Sequence, residues 1–183
     1  MKGEVYLKRT YVMPLLVLTI ICLVVSGALA YMNSITSPVI SEAAKNRKLE
    51  VMRVKIPDAL DFEEINLQYI EGLPASIREI YRTTNGIGYI FVAARSGFSG
   101  DITVICAIDP EGNIISASTL SHTETKGIGT IIEEDRFLGL FTGKDDQLEG
   151  VDTIAGATIS TKAYIQTIGD IMVAFHLVDS QIN

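Results

Sequence analysis

The chain has 183 residues, is 48% apolar and carries a formal net charge of −7. That length holds one ordinary domain with or without a membrane segment, and it excludes a large multidomain enzyme. Beyond residue 32 there are 12 Lys+Arg against 21 Asp+Glu, a balance of −9 that excludes basic-patch binding to nucleic acid and disfavours anionic headgroups.

Residues 11–32 contain no charged side chain, and as a helix they span about 30 Å of hydrocarbon. Tyr11 and Tyr31 stand at the two ends, where amphipathic aromatics sit at headgroup level. Lys2, Lys8 and Arg9 precede the run and the next basic residue is Lys45, so the positive-inside rule places residues 1–10 in the cytoplasm and residues 33–183 outside it. Ala28-Leu29-Ala30 resembles a signal-peptidase site, but the apolar run is longer than a usual signal core, and a retained anchor is the preferred reading.

Ser37-Pro38 places a capping residue ahead of a proline and predicts a second helix from residue 38 to about 53. Residues 58–71 are acidic and mixed, with a short strand or turn expected around 65–70. Four strands are expected next, over residues 77–83, 88–95, 102–109 and 114–120, punctuated by Asn85-Gly86, Gly97-Phe98-Ser99-Gly100 and Pro110-Glu111-Gly112-Asn113. Both faces of the third strand are apolar, so it is predicted to be covered on both sides. The pattern is α+β: an N-terminal transmembrane helix, then a domain with an antiparallel sheet packed by helices.

After the fourth strand comes Ser121-His122-Thr123-Glu124-Thr125-Lys126-Gly127-Ile128-Gly129, a loop whose glycines allow close approach of backbone to a flat ligand. Phe137 and Phe141, at helical spacing, read as core. Asp152-Thr153-Ile154-Ala155-Gly156-Ala157-Thr158 then feeds a last helix, expected from about 161 to 178, with Ser160 or Thr161 as cap and Ile165, Ile168, Met172 and Phe175 inward. Unpaired amides at such a helix start favour a phosphate. Cys22 and Cys106 have no metal-ligand spacing, and His122 and His176 belong to no nucleophile motif, so no metal site and no catalytic residue is assigned.

The run from Asp152 to Thr158 resembles the flavinylation motif Asp-x-x-Ser/Thr-Gly-Ala-Thr of the FMN-binding domain family, with Ala155 in place of a hydroxyl residue. The loop from Glu124 to Gly129 resembles the same family's Glu-Thr-Pro-Gly-Leu-Gly element, with Lys126 for Pro and Ile128 for Leu. The family includes the G subunit of Rnf-type ion-translocating oxidoreductases and the C subunit of the sodium-pumping NADH:quinone reductase; the short chain and single anchor favour the former. The resemblance implies FMN esterified through its phosphate to Thr158. It places Asp152, Gly156 and Ala157 at the attachment site, and Glu124, Thr125, Gly127 and Ile128 near the ring.

It further implies a separate flavin transferase that uses FAD and magnesium, other membrane subunits of an Rnf-type complex as partners, and an electron-relay role in a translocase coupling ferredoxin and NAD to proton or sodium transport. Lys126, if close to the ring, would stabilise the reduced, anionic flavin and raise its potential. The competing reading is a membrane-anchored module that binds a phosphorylated ligand without redox chemistry.

Overall fold

A computed structural model describes residues 12–182. Lys2, Lys8, Arg9 and Tyr11, on which the predicted orientation and one headgroup contact rest, lie outside the described residues. The chain divides into two compact units, Met1–Arg47 and Lys48–Asn183.

The described residues of the first unit are helical. Helix α1 (Met13–Lys55) begins there, and its segment Met13–Ile40 is long and apolar enough to cross a membrane, with a mean hydropathy of 2.5. Leu15, Leu18, Leu23, Val24 and Leu29 are all exposed on it, as side chains that face lipid must be. The expected break at Ser37-Pro38 is absent: Pro38 lies inside α1. Along α1, Ser34 Oγ donates to the Tyr31 carbonyl at 2.7 Å and Thr19 Oγ1 to the Leu15 carbonyl at 2.9 Å, so both hydroxyls are satisfied within the helix.

The second unit is a meander. Strands β1 (Phe62–Ile65), β2 (Ile77–Thr83), β3 (Tyr89–Ser96), β4 (Asp101–Ile108) and β5 (Ile114–Ser121) form one antiparallel sheet in sequential order. The four long strands lie within one residue of the predicted ranges. The expectation of a strand or turn at 65–70 is corrected in detail: β1 ends at Ile65, and a 3₁₀ turn, Leu67–Tyr69, follows, its start capped by Asn66 Oδ1 accepting the Gln68 amide at 3.0 Å. Glu63 and Glu64 are exposed on this edge strand, where charge discourages pairing with another chain.

Both sheet faces are covered. On one, Met52 and Ile56 pack on Ile90, Val92, Ile105 and Ala107, and Lys48 ties the helical segment to β2 through hydrogen bonds to Glu79 and to the Tyr81 hydroxyl. On the other, helix α3 (Thr158–Ile182) buries Tyr164, Ile168, Ile171, Met172, Phe175 and Val178 against Phe91, Val104, Cys106 and Ile108. Asp170, midway along α3, accepts hydrogen bonds from Ser76 and from Arg95, the latter at 2.6 Å, which fixes the helix along the sheet. Cys106 is fully enclosed there, and burial pushes its thiol up to about 12, so it is an inert core residue.

The short helix α2 (Asp135–Leu138) delivers Phe137 to this core. Phe137 and Phe141 meet edge to face with centroids 5.3 Å apart, and each lies 5.3 Å from the Tyr164 ring. Phe137 is wholly buried. Phe137→Ala is expected to cost about 3–5 kcal/mol, the usual range for deleting a core ring. Urea unfolding of the full chain in detergent should show a lower midpoint with an unchanged slope.

Candidate functional site

Three stretches separated in sequence converge at one end of the sheet: the β3–β4 loop at residues 97–100, the loop after β5 at residues 124–129, and the turn that leads into α3. Between them lies a cleft of about 390 Å³, lined by Phe98, Thr125, Ile128, Ala157, Thr158 and Ser160 among others. Glu124, Gly129, Gly156 and Ile159 complete the lining. A cavity of this size falls in the range of small-molecule and cofactor sites.

The turn into α3 is built by small residues. Gly156 has φ +88°, a conformation that side-chain-bearing residues avoid, and Ala157 donates its amide back to the Ile154 carbonyl at 3.0 Å. Helix α3 therefore starts at Thr158, three residues before the expected start. Thr161 is not the cap. It lies within the helix, where its hydroxyl accepts the Ile154 amide at 3.2 Å and donates to the Ala157 carbonyl at 2.9 Å, stapling the turn to the first helical residues. Ser160 is not the cap either, because its hydroxyl is committed to Glu124. The first backbone bond of the helix is Thr161 to Ala157, so the amides of Thr158, Ile159 and Ser160 are left for a ligand or solvent.

Thr158 is exposed, and its Oγ1 makes only a 3.5 Å contact with the Ile154 carbonyl. A hydroxyl held by that one long bond thus stands at the positive end of a 25-residue helix and opens into the cleft. Ala157 below it is buried. Ala155, the departure from the flavinylation motif, lies on the exposed turn outside the lining, so its missing hydroxyl removes nothing from the cleft. Asp152 is exposed and outside the lining as well; its carboxylate accepts the Thr153 amide at 3.1 Å.

In the second loop, Glu124 is 7% exposed. One carboxylate oxygen accepts the amides of Phe98 at 2.9 Å and Ser99 at 3.0 Å, and the other accepts the Ser160 hydroxyl. Thr125 and Ile128 face the cleft, whereas Gly127 and Lys126 are exposed and do not line it. Lys126 occupies the position where a proline would stiffen the loop. The stiffness comes from elsewhere: the amides of Ile128 and Gly129 both donate to the Thr125 carbonyl, and Gly127 donates to Thr130 Oγ1 at 3.0 Å. His122 accepts the Glu124 amide at Nδ1 and turns Nε2 to Glu133 at 3.1 Å, which leaves it in a supporting position.

The lining also contains Phe98, which the sequence pattern presents only as part of a loop. Its ring is 68% exposed, and with Ile128 and Ile159 it gives the cleft an apolar rim. The available signal is an aromatic residue isolated between glycines and a serine, too large to be a turn former and too far from any periodic stretch to be core. Among the described residues no group of three His, Cys, Asp or Glu is placed to hold a metal ion.

Residues 97–172, which contain all three converging stretches, match the model of the FMN-binding domain. The chain is 30% identical over 159 residues to the G subunit of the proton-translocating ferredoxin:NAD(+) oxidoreductase complex of Clostridium ljungdahlii, covering 80% of this chain and 81% of that protein. The chain belongs to the FMN-binding domain family. Another relative is the G subunit of the Na(+)-translocating ferredoxin:NAD(+) oxidoreductase complex of Acetobacterium woodii, 28% identical and covering 81% of this chain and 83% of the relative. The fold is also that of NqrC from Shewanella oneidensis, with a TM-score of 0.54 at 16% identity over 70% of this chain and 86% of that one.

The charge of Glu124 matters to this family member's stability. Burial pushes its carboxyl up, but the hydrogen bonds from Ser160, Ser99 and Phe98 and the nearby His122 outweigh burial and hold it below the usual carboxylate range. A depressed folded value means that Glu124 contributes stability above its unfolded value, neutral pH included, and loses it as the pH falls through the folded value in the acid range. Glu124→Gln is therefore expected to lower the thermal midpoint at neutral pH, with a cost on the order of 1–3 kcal/mol for the lost charge-assisted bonds. Melts of both proteins at decreasing pH should converge; a gap that stays constant into the acid range would contradict the assignment.

Proposed function

We propose that this chain is a membrane-anchored electron-transfer subunit of an Rnf-type complex, with FMN held covalently through its phosphate on Thr158. The observation that carries the reading is the placement of Thr158: an exposed hydroxyl at the head of α3 with one long bond to the Ile154 carbonyl, amides without a backbone partner among the described residues beside it, and an apolar-rimmed cleft ahead of it. A phosphoester at that atom puts the phosphate where the helix start favours negative charge. Gly156 and Ala157 keep the approach clear, and Thr125, Ile128 and Phe98 supply the surfaces for a flat ring, with Glu124 behind them. Bound FMN would supply one- and two-electron transfer, which this chain's own side chains cannot.

Among the described residues Thr158 Oγ1 is hydrogen-bonded to no base, and Glu124, the carboxylate in the cleft lining, is committed to Phe98, Ser99 and Ser160, so esterification falls to a separate flavin transferase. In that step the Thr158 oxygen attacks the FMN-side phosphorus of FAD, the pyrophosphate bond breaks, AMP leaves, and the hydroxyl proton passes to a base of the transferase. Asp152, exposed on the approach to the turn and outside the cleft, belongs to the motif presented to that enzyme. Residues 1–10 lie in the cytoplasm, the apolar run 11–32 spans the bilayer, and residues 33–183 hold the flavin on the extracytoplasmic side, where a dissociable cofactor would be lost to bulk solvent. The charge asymmetry of Lys2, Lys8 and Arg9 supports that orientation. Other subunits of such a complex are the source and sink of electrons, and the coupled ion is a proton or sodium.

Co-expression with a flavin transferase tests the linkage. The intact mass of the wild type should increase by one FMN phosphoester, and Thr158→Ala should abolish the increase. An unmodified wild type, with the transferase active on a control substrate, would leave instead a non-redox module that binds a phosphorylated ligand. Cysteine scanning across α1 tests the orientation: residues beyond the apolar segment should react with a membrane-impermeant thiol reagent in intact cells, and labelling only after permeabilisation would reverse the topology.

A further inference from the structure

Glu124 belongs to the family's ring-side element, yet both of its carboxylate oxygens are engaged by the protein itself. Oε1 is occupied by the amides of Phe98 and Ser99, and Oε2 by Ser160. The space around it is shaped for this arrangement. A Cβ on Gly97 would stand 2.6 Å from Glu124 Oε1, and one on Gly129 would stand 2.6 Å from Glu124 Cβ and 2.7 Å from Oε2. Two glycines thus leave the space that the Glu124 side chain takes, shared at Gly97 with Ile102, whose Cδ1 would also stand 2.6 Å from an added Cβ.

Phe98, by contrast, has a mostly exposed ring that belongs to neither buried core cluster. Its place on the cleft wall is therefore set through its backbone. The side-chain ties on that loop are long, Ser99 Oγ to Thr125 Oγ1 at 3.3 Å and Thr123 Oγ1 to the Ser99 carbonyl at 3.4 Å, and the turn itself is closed by a bond of ordinary length from the Gly97 amide to the Gly100 carbonyl at 2.8 Å.

We propose that Glu124 is a positioning residue: its carboxylate clamps the 97–100 loop to the first turn of α3, and so fixes Phe98 as the wall against which a flavin tethered at Thr158 lies. The inference rests on the flavin reading for its last clause and on the hydrogen bonds alone for the clamp. Removing the clamp leaves Thr158 chemically intact, so attachment survives while the ring loses its fixed surroundings.

The test uses the full chain in detergent, with and without transferase co-expression, as wild type, Glu124→Ala, Glu124→Gln, Ser160→Ala and Phe98→Leu. Hydrogen exchange of the unmodified proteins reads the clamp. Glu124→Ala should speed exchange of the Phe98 and Ser99 amides by about tenfold, the factor for one lost hydrogen bond. Glu124→Gln, which keeps an oxygen for those amides, should restore most of the protection. On the modified proteins, intact mass should remain that of the FMN adduct, while the visible circular dichroism of the flavin should be lost in Glu124→Ala and Phe98→Leu and reduced in Ser160→Ala. Phe98→Leu should leave the exchange unchanged.

Wild-type exchange and wild-type dichroism in Glu124→Ala would overturn the proposal. If that variant does not fold, wild-type dichroism in both Ser160→Ala and Phe98→Leu would overturn it. Absence of the adduct in the wild type would remove the flavin reading, and the exchange data would still decide the clamp.

Discussion

A carboxylate taken out of water must find donors, and that requirement organises the end of the sheet where the cleft lies. Glu124 meets it with three donors drawn from two other chain segments: two amides of the β3–β4 loop and the hydroxyl of Ser160. None of these donors can be satisfied there unless β3, β4, β5 and α3 are already in register. The site is a consequence of the fold, and closing it in turn fixes the two loops that the strands leave open. Gly97 and Gly129 are small because the carboxylate occupies the space a side chain would take.

The same economy governs the helix start. A helix whose first amides are unpaired is usually capped by a side chain at its N-terminus. Here the hydroxyls able to do so are diverted, Thr161 to the preceding turn and Ser160 to Glu124. The amides of Thr158, Ile159 and Ser160 remain unused within the chain, and Thr158 carries its own hydroxyl among them. An uncapped helix facing an apolar-rimmed cleft suits an anionic tail joined to a flat ring, which is the chemistry of FMN. A cofactor joined at Thr158, as proposed, would stay at high local concentration at its working position without a large binding energy.

The long strands are legible in the sequence because turn residues bound them so closely. Asn85-Gly86 and Pro110-Glu111-Gly112-Asn113 leave only a few residues in which a strand can end. The two-sided burial of β4 follows from its unbroken apolar run, and Ile105 and Ala107 are indeed covered by Met52 and Ile56. The start of α3 is displaced from its expected place because Ser160 and Thr161 have the chemistry of caps, and their real partners, Glu124 and Ile154, are set by tertiary contact and local folding back, which periodicity does not encode. Pro38 also misleads: a serine–proline pair signals a helix start, whereas here the proline lies inside the continuous helix α1. Glu124 is visible through the family motif; its three-donor role and the wall formed by Phe98 depend on contacts 25 to 36 residues distant in sequence. Asp170, Arg95 and Ser76, which lock α3 along the sheet, give no sequence signal at all.

The most direct test of the central claim is a crystal structure of the full chain after modification by a flavin transferase. Electron density continuous from Thr158 Oγ1 through a phosphate, with the ring lying between Phe98 and Ile128, is the result expected. Density for the flavin joined to another side chain, or a ring seated away from the cleft at the head of α3, would contradict it.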